Sequence, residues 1–213
     1  MKNKHAGFTL IELLVVMSIL SLLVVALLPM VTSGQAEGNK TVDAANLRWH
    51  YQGFTAYKIQ YGYPPRYGGH RFIFDPWMRR MVPRTKDSIN RYFSPTQAGD
   101  ARWMELAEDT DLKDVWRNID DITSEDTSYA GRALEFKRGM DRDEQAWMAS
   151  DNEGMNHYQD GTILVLMNDG IVRRLKRDPD LIRHGWPEGE DDEEFVYEVG
   201  RDSPHPLLRK LER

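Results

Sequence analysis

The chain has no cysteine among its 213 residues. That excludes disulfides, a thiolate nucleophile and thiolate metal ligation, and leaves packing as the source of stability. Long hydrophobic runs are nearly as scarce. One stretch, Phe8 to Met30, is apolar apart from Thr9, Glu12, Ser18 and Ser21, and a single run excludes a multi-span transporter. Positive charge is not in excess either. The formal net charge is -6, and residues 32–213 hold 26 basic against 33 acidic side chains. Such a balance gives no general attraction for nucleic acid and no basic skirt for anionic lipid. Ser-x-x-Lys, a Gly-rich phosphate loop and His-Glu-x-x-His are all missing. No enzyme activity and no cofactor are expected.

What is present begins at the N-terminus. Lys2 and Lys4 precede Gly7, and the 22 residues from Phe8 to Pro29 follow. As a helix that run is about 33 Å long, enough for one membrane crossing. The two lysines favour the cytoplasmic side and place the remainder outside. An ordinary signal peptide is one reading, and Gly34-Gln35-Ala36 supplies small residues for a peptidase. Glu12 argues for another. A carboxylate isolated in lipid costs several kcal/mol and wants a partner, and a discarded signal has no use for that cost.

Gly7-Phe8-Thr9-Leu10-Ile11-Glu12-Leu13-Leu14-Val15-Val16 closely resembles the processing and methylation motif of type IV pilins and type II secretion pseudopilins. The resemblance implies that a membrane prepilin peptidase/N-methyltransferase cuts after Gly7, on the cytoplasmic side, and methylates the new amino group on Phe8. It implies that the helix stays in the membrane until an inner-membrane assembly platform draws it into a filament with other pseudopilin subunits. It also implies that Glu12 pairs with the N-terminal amine of a neighbouring subunit. A buried charge pair adds less net stability than its Coulomb energy suggests, so the expected role of Glu12 is axial register. Pro29 lacks a backbone donor and is expected to kink or locally melt the helix; the plain alternative is a break where the helix leaves the membrane.

Beyond the run, Gly34 and Gly38 suggest a flexible joint. The helical period then returns through Ala44, Leu47, Tyr51, Phe54, Lys58 and Tyr61, with the aromatic and aliphatic members facing a core. Gly62 followed by Tyr63-Pro64-Pro65 predicts the stop, a turn similar to the pseudopilin continuation. Arg71 to Phe74 reads as a short strand, and Trp103–Ala107 and Leu112–Ile119 as short helices. Asp75-Pro76-Trp77 and Asp114-Val115-Trp116-Arg117 both resemble the family's Asp-Pro-Trp-Gly turn. Leu134 to Lys137 predicts a strand, and residues 161–175 a β-hairpin turning on Asn168-Asp169-Gly170. Asn156-His157 and the Asp-Gly turn are similar to the closing hairpin of pilin-like proteins, with Ile171 where that pattern has histidine. Leu207-Leu208 predicts a short docked helix or a frayed end.

Two clusters raise the question of a metal. His157 with Asp151, Asp160 and Asp169 offers one imidazole and carboxylates, yet turn residues of this kind usually satisfy backbone groups. Glu188 to Glu194 is the densest acidic run, and major pseudopilins carry a calcium site in a C-terminal loop. A run of like charges does not supply calcium geometry and is usually a solvated face. No metal ligands are assigned. Arg79-Arg80 and Arg173-Arg174 are local basic patches in an acidic chain, and no nucleic-acid partner is expected.

The expected fold is α+β and pilin-like: a long N-terminal helix, transmembrane then amphipathic, packed on a small antiparallel β-sheet. The expected divisions are a leader at 1–7, a transmembrane and assembly helix at 8–30, a linker and amphipathic continuation at 31–65, and a periplasmic globular domain at 66–213. The expected function is a structural filament subunit of a type II secretion system or related type IV pilus-like apparatus, in the bacterial inner membrane and then in a filament. The residues assigned to it are Gly7 and Phe8 for processing, and Glu12 and Pro29 for assembly. A membrane-anchored periplasmic binding or adaptor module on the same anchor is the alternative. An enzyme tethered there would need a convergent His/carboxylate cleft, for which the sequence makes no case.

Overall fold

The computed structural model describes residues 9–97, 104–106, 115–136, 145–150, 158, 160–176 and 199–212. The chain divides into two units, Met1–Gly38 and Asn39–Arg213. Helix α1 covers Leu10–Tyr61. It runs through Pro29 and through Gly34 and Gly38, so the stretch read as a joint is helical throughout. A glycine in an exposed helix costs only about 1 kcal/mol relative to alanine, which the flanking helix formers absorb. The helix ends at Tyr61, where Gly62 takes φ +78° and its N–H reaches the carbonyl of Lys58 at 2.8 Å. That left-handed step is the expected stop.

In the second unit α1 buries Ala44, Leu47 and Phe54. Tyr51 packs against the same core from a partly exposed position. Fully burying a leucine or phenylalanine contributes about 2–3 kcal/mol, so this stripe fixes which face of α1 turns inward. Helix α2, Gly69–Met78, buries Phe72, Ile73, Phe74 and Trp77. The short strand read at Arg71–Phe74 is therefore helix. An apolar run of four residues buried on every side carries no period, and periodicity alone does not separate the two structures. Helix α3, Lys86–Asn90, starts at Thr85, whose hydroxyl accepts from the Ser88 N–H at 3.1 Å. Met104–Leu106 is helical, and the rest of the helix predicted there lies outside the described residues. Val115 and Trp116 form a turn and Ile119–Asp121 a 3-10 turn, so the described part of the helix predicted at 112–119 is not α-helical.

Among the described residues, five strands form one antiparallel sheet: β1 Ala130–Arg132, β2 Ala146–Ala149, β3 Ile163–Met167, β4 Val172–Leu175 and β5 Leu211–Glu212. Their order is β4-β3-β2-β1-β5. The predicted hairpin is β3–β4, with Ile163 opposite Leu175 and Gly170 at φ +85° in the turn. The strand predicted at Leu134–Lys137 lies earlier, at β1; Leu134–Phe136 is a 3-10 turn and Lys137 is outside the described residues.

Both faces of the sheet are covered. Leu164 and Leu166 of β3 join the core with α1 and α2. Ile163, Val165 and Met167 join a second core with Leu208 and Leu211. The segment Leu207-Leu208 is thus docked, with a 3-10 turn at Leu208–Lys210. A register shift between Ala146 and Met148 sets Trp147 and Met148 in the same core, as a bulge does. Gly131 is required where β1 meets α2, because a Cβ there would lie 2.1 Å from the Gly69 carbonyl oxygen. The architecture is a long N-terminal apolar helix packed, through its later turns, on a small antiparallel sheet, in the α+β class.

Candidate functional site in the N-terminal segment

Of the four residues assigned by sequence, Gly7 and Phe8 lie outside the described residues. Glu12 sits in the first turn of α1. Its Oε2 accepts from the Thr9 backbone N–H at 2.9 Å and from the Thr9 hydroxyl at 2.8 Å. The Glu12 N–H returns to the Thr9 hydroxyl oxygen at 3.3 Å. This is a reciprocal capping box, which satisfies two of the donors that every helix leaves open at its start. The carboxylate that is costly in an apolar run thus has a partner in its own chain.

The rest of the segment is apolar on all sides. Every large hydrophobic side chain from Leu10 to Met30 is exposed, from 47% at Val16 to 88% at Leu10. The hydroxyls are turned into the helix: Ser18 donates to the Leu14 carbonyl and Ser21 to that of Met17, each at 2.8 Å. Thr32 donates to the Leu28 and Pro29 carbonyls at 3.2 and 3.1 Å. Pro29 itself has no N–H to give to the carbonyl of Val25. A helix that is hydrophobic all round needs lipid or other helices against it. Among the described residues, this is the one helix long and apolar enough to cross a membrane.

In the second unit the same helix carries a feature that the sequence reading missed. Lys40, Asp43, Asn46 and His50 are buried although polar. The Asp43 carboxylate accepts from the Ser94 and Tyr129 hydroxyls at 2.7 Å each, and from the Tyr158 hydroxyl. Asn46 donates to the Tyr129 oxygen at 3.2 Å. Lys40 pairs with Asp160 and stands 5.5 Å from the centroid of the Tyr158 ring. Burial, then the neighbouring Asp43 charge, pushes Tyr129 and Tyr158 well above the usual phenol range. Burial alone would raise Asp160, but the bonds from Lys40 and Thr162 hold its carboxyl below the usual range. Burial pushes His50 down to about 4, while its Nε2–H donates to the Arg91 carbonyl at 2.9 Å. At neutral pH, His50, Tyr129 and Tyr158 therefore keep their neutral forms, and the network clasps α1 to the loops around it rather than moving protons.

The other sequence candidates divide. Asp160 serves Lys40 and accepts from the Thr162 N–H at 3.2 Å, and Asp169 accepts from the Ile171 N–H at 2.9 Å. Both perform turn and pairing work, while His157, Asp151 and the run Glu188 to Glu194 lie outside the described residues. His205 is buried, and its Nδ1 accepts from the Leu207 N–H at 3.2 Å. Asp75-Pro76-Trp77 belongs to α2, and Trp77 meets Trp116 edge-on at 5.2 Å in the core. The two Trp-containing segments that compete for one turn in the sequence are thus packed against each other.

Residues 2–28 match the family model described as the prokaryotic N-terminal methylation motif, the signature of type IV pilins and pseudopilins. No curated protein and no solved structure matches the chain.

Proposed function

The chain carries the N-terminal signature of a type IV pilin-like or pseudopilin precursor, and from it we infer that the protein is a structural filament subunit of a type II secretion system or a related pilus-like apparatus. Prepilin peptidase removes residues 1–7 and methylates Phe8, which becomes the first residue of the mature chain. Lys2 and Lys4 hold the leader in the cytoplasm, and residues 66–213 form the periplasmic domain. The helix crosses the inner membrane once and later packs with other subunits, with Glu12 setting axial register and Pro29 easing the helix as it leaves lipid.

The observation that carries this reading is the methylation motif set directly on a helix whose apolar side chains are exposed on every side. Such a surface serves lipid before assembly and neighbouring helices after it. An immunoblot in cells with and without prepilin peptidase tests the reading, with Gly7→Leu beside wild type. The shorter, mature band is expected only with the peptidase and with Gly7. A mature band that appears regardless of either would overturn the assignment.

A further inference from the structure

The charge of this chain is divided along its length. Residues 48–91 hold nine basic and two acidic side chains, a balance of +7, whereas residues 92–213 hold 16 and 29, a balance of -13. The basic part has a built surface where α1 ends. Half-buried Tyr61 and Tyr63 lie there with rings 6.3 Å apart, backed by buried Tyr57 at 4.6 and 6.2 Å from them. The Arg66 guanidinium stands 4.0 Å over Tyr63, and that of Arg79 5.8 Å over Tyr61. Arg79 is also steered by Asp75, at 3.6 Å. Arg66, Arg79 and Arg80 are exposed, and Arg80 holds φ +58°. Left-handed backbone at a non-glycine residue is uncommon and persists where the surroundings impose it.

We propose that this tyrosine–arginine surface is a docking site for the acidic run Glu188 to Glu194 of a second copy of the chain. Tyrosine and arginine are among the side chains enriched at the energetic centres of protein interfaces. Planar guanidinium groups held over rings present their edges for bidentate pairing with carboxylates. The run supplies six carboxylates in seven residues. Because the donor surface and the acidic run are different parts of one chain, the contact is heterologous. A heterologous contact that does not close into a ring propagates as an open filament, each copy offering one half to the next. The inference rests on the filament reading, which places many copies side by side and raises their effective concentration.

The absence of native cysteine makes a clean test possible in the full-length chain. Gln60→Cys goes into one tagged copy and Gly189→Cys into a second, differently tagged copy; neither change removes a charge. A short bis-maleimide added to membranes is expected to give an adduct carrying both tags. Its yield should fall about tenfold with Arg66→Glu and Arg79→Glu together, since each change trades an attraction for a repulsion. It should return when Glu190→Lys and Glu193→Lys are placed in the partner copy, which also shows that the reversed copy is folded. An adduct insensitive to charge reversal overturns the proposal. So does an adduct that forms only within one chain when both cysteines are placed there, which would assign the run to its own molecule. The blot also reports processing after Gly7. A processed chain without the mixed adduct defeats this surface alone, and an unprocessed chain defeats the filament reading.

Discussion

Acid should weaken the second unit through His50 in particular. The imidazole is buried against Tyr92, Trp49, Tyr129 and Phe54, with ring centroids 4.7, 5.0, 5.8 and 6.4 Å away. Burial moves its pKa from 6.5 to about 4, with the Arg91 charge acting in the same direction. Between those values the folded chain binds fewer protons at this site than the unfolded chain. Stability is therefore whole above pH 6.5 and is lost as pH falls toward 4. Across the whole window the loss is on the order of 3 kcal/mol, and about 2 kcal/mol of it is spent by pH 5. Urea unfolding of the full-length chain in detergent, followed by tryptophan emission, measures it. All six tryptophans lie in the second unit. The comparison is with His50→Gln, which is expected to be weaker at neutral pH but to lack this titration. Groups such as Asp160, which also lose stabilising charge in acid, cancel in the difference. The gap between wild type and variant should narrow by about 2 kcal/mol from pH 7.5 to pH 5. Parallel curves, or a gap that widens in acid, would refute the reasoning.

Three substitutions probe other parts of the structure. Gly131→Ala drives a methyl group into the Gly69 carbonyl and should cost about 3 kcal/mol of unfolding free energy by urea titration; a neutral outcome would contradict the close approach of β1 and α2. Asp43→Ala removes the acceptor shared by the Ser94, Tyr129 and Tyr158 hydroxyls, leaving Ser94 its bond to Thr96 and Tyr129 its longer one to the Phe93 carbonyl, and should cost about 2–3 kcal/mol in a urea titration, with Asp43→Asn milder because an acceptor oxygen remains. On the proposed filament reading, Glu12→Ala should leave processing after Gly7 intact while lowering filament yield in a shearing or crosslinking assay; assembly equal to wild type would refute the register role proposed for it.

The legible parts of this fold are those with a period or a sharp signal. The β3–β4 hairpin announced itself through a β-rich arm on each side of Asp169-Gly170, and the end of α1 through Gly62 and the prolines after it. The N-terminal segment was readable because a carboxylate in an apolar run is expensive enough to need an explanation. Strands β1, β2 and β5 were not readable. They are two to four residues long, and Ala-Gly-Arg or Leu-Glu has no alternation to detect. Helix α2 failed for the opposite reason, since burial on all sides leaves no polar face. The polar stripe Lys40, Asp43, Asn46 and His50 was misleading in a third way. Polar residues at helical spacing look like a solvated face until their partners, Ser94, Tyr129, Tyr158 and Asp160, arrive from 51 to 120 positions along the chain.

The pairing of β5 with β1 joins Leu211 to Arg132 and Glu212 to Gly131. Nearly eighty residues separate the two strands in synthesis. Until residues 211 and 212 emerge, β1 has an open edge and the second core lacks Leu208 and Leu211 as its cover. A variant shortened before residue 211 is expected to keep the N-terminal methylation motif and to leave the β1 edge and the second core half-covered. Two residues of β5 thus close both the hydrogen-bonding edge of β1 and one side of the second core, so the far end of the described fold holds its middle shut.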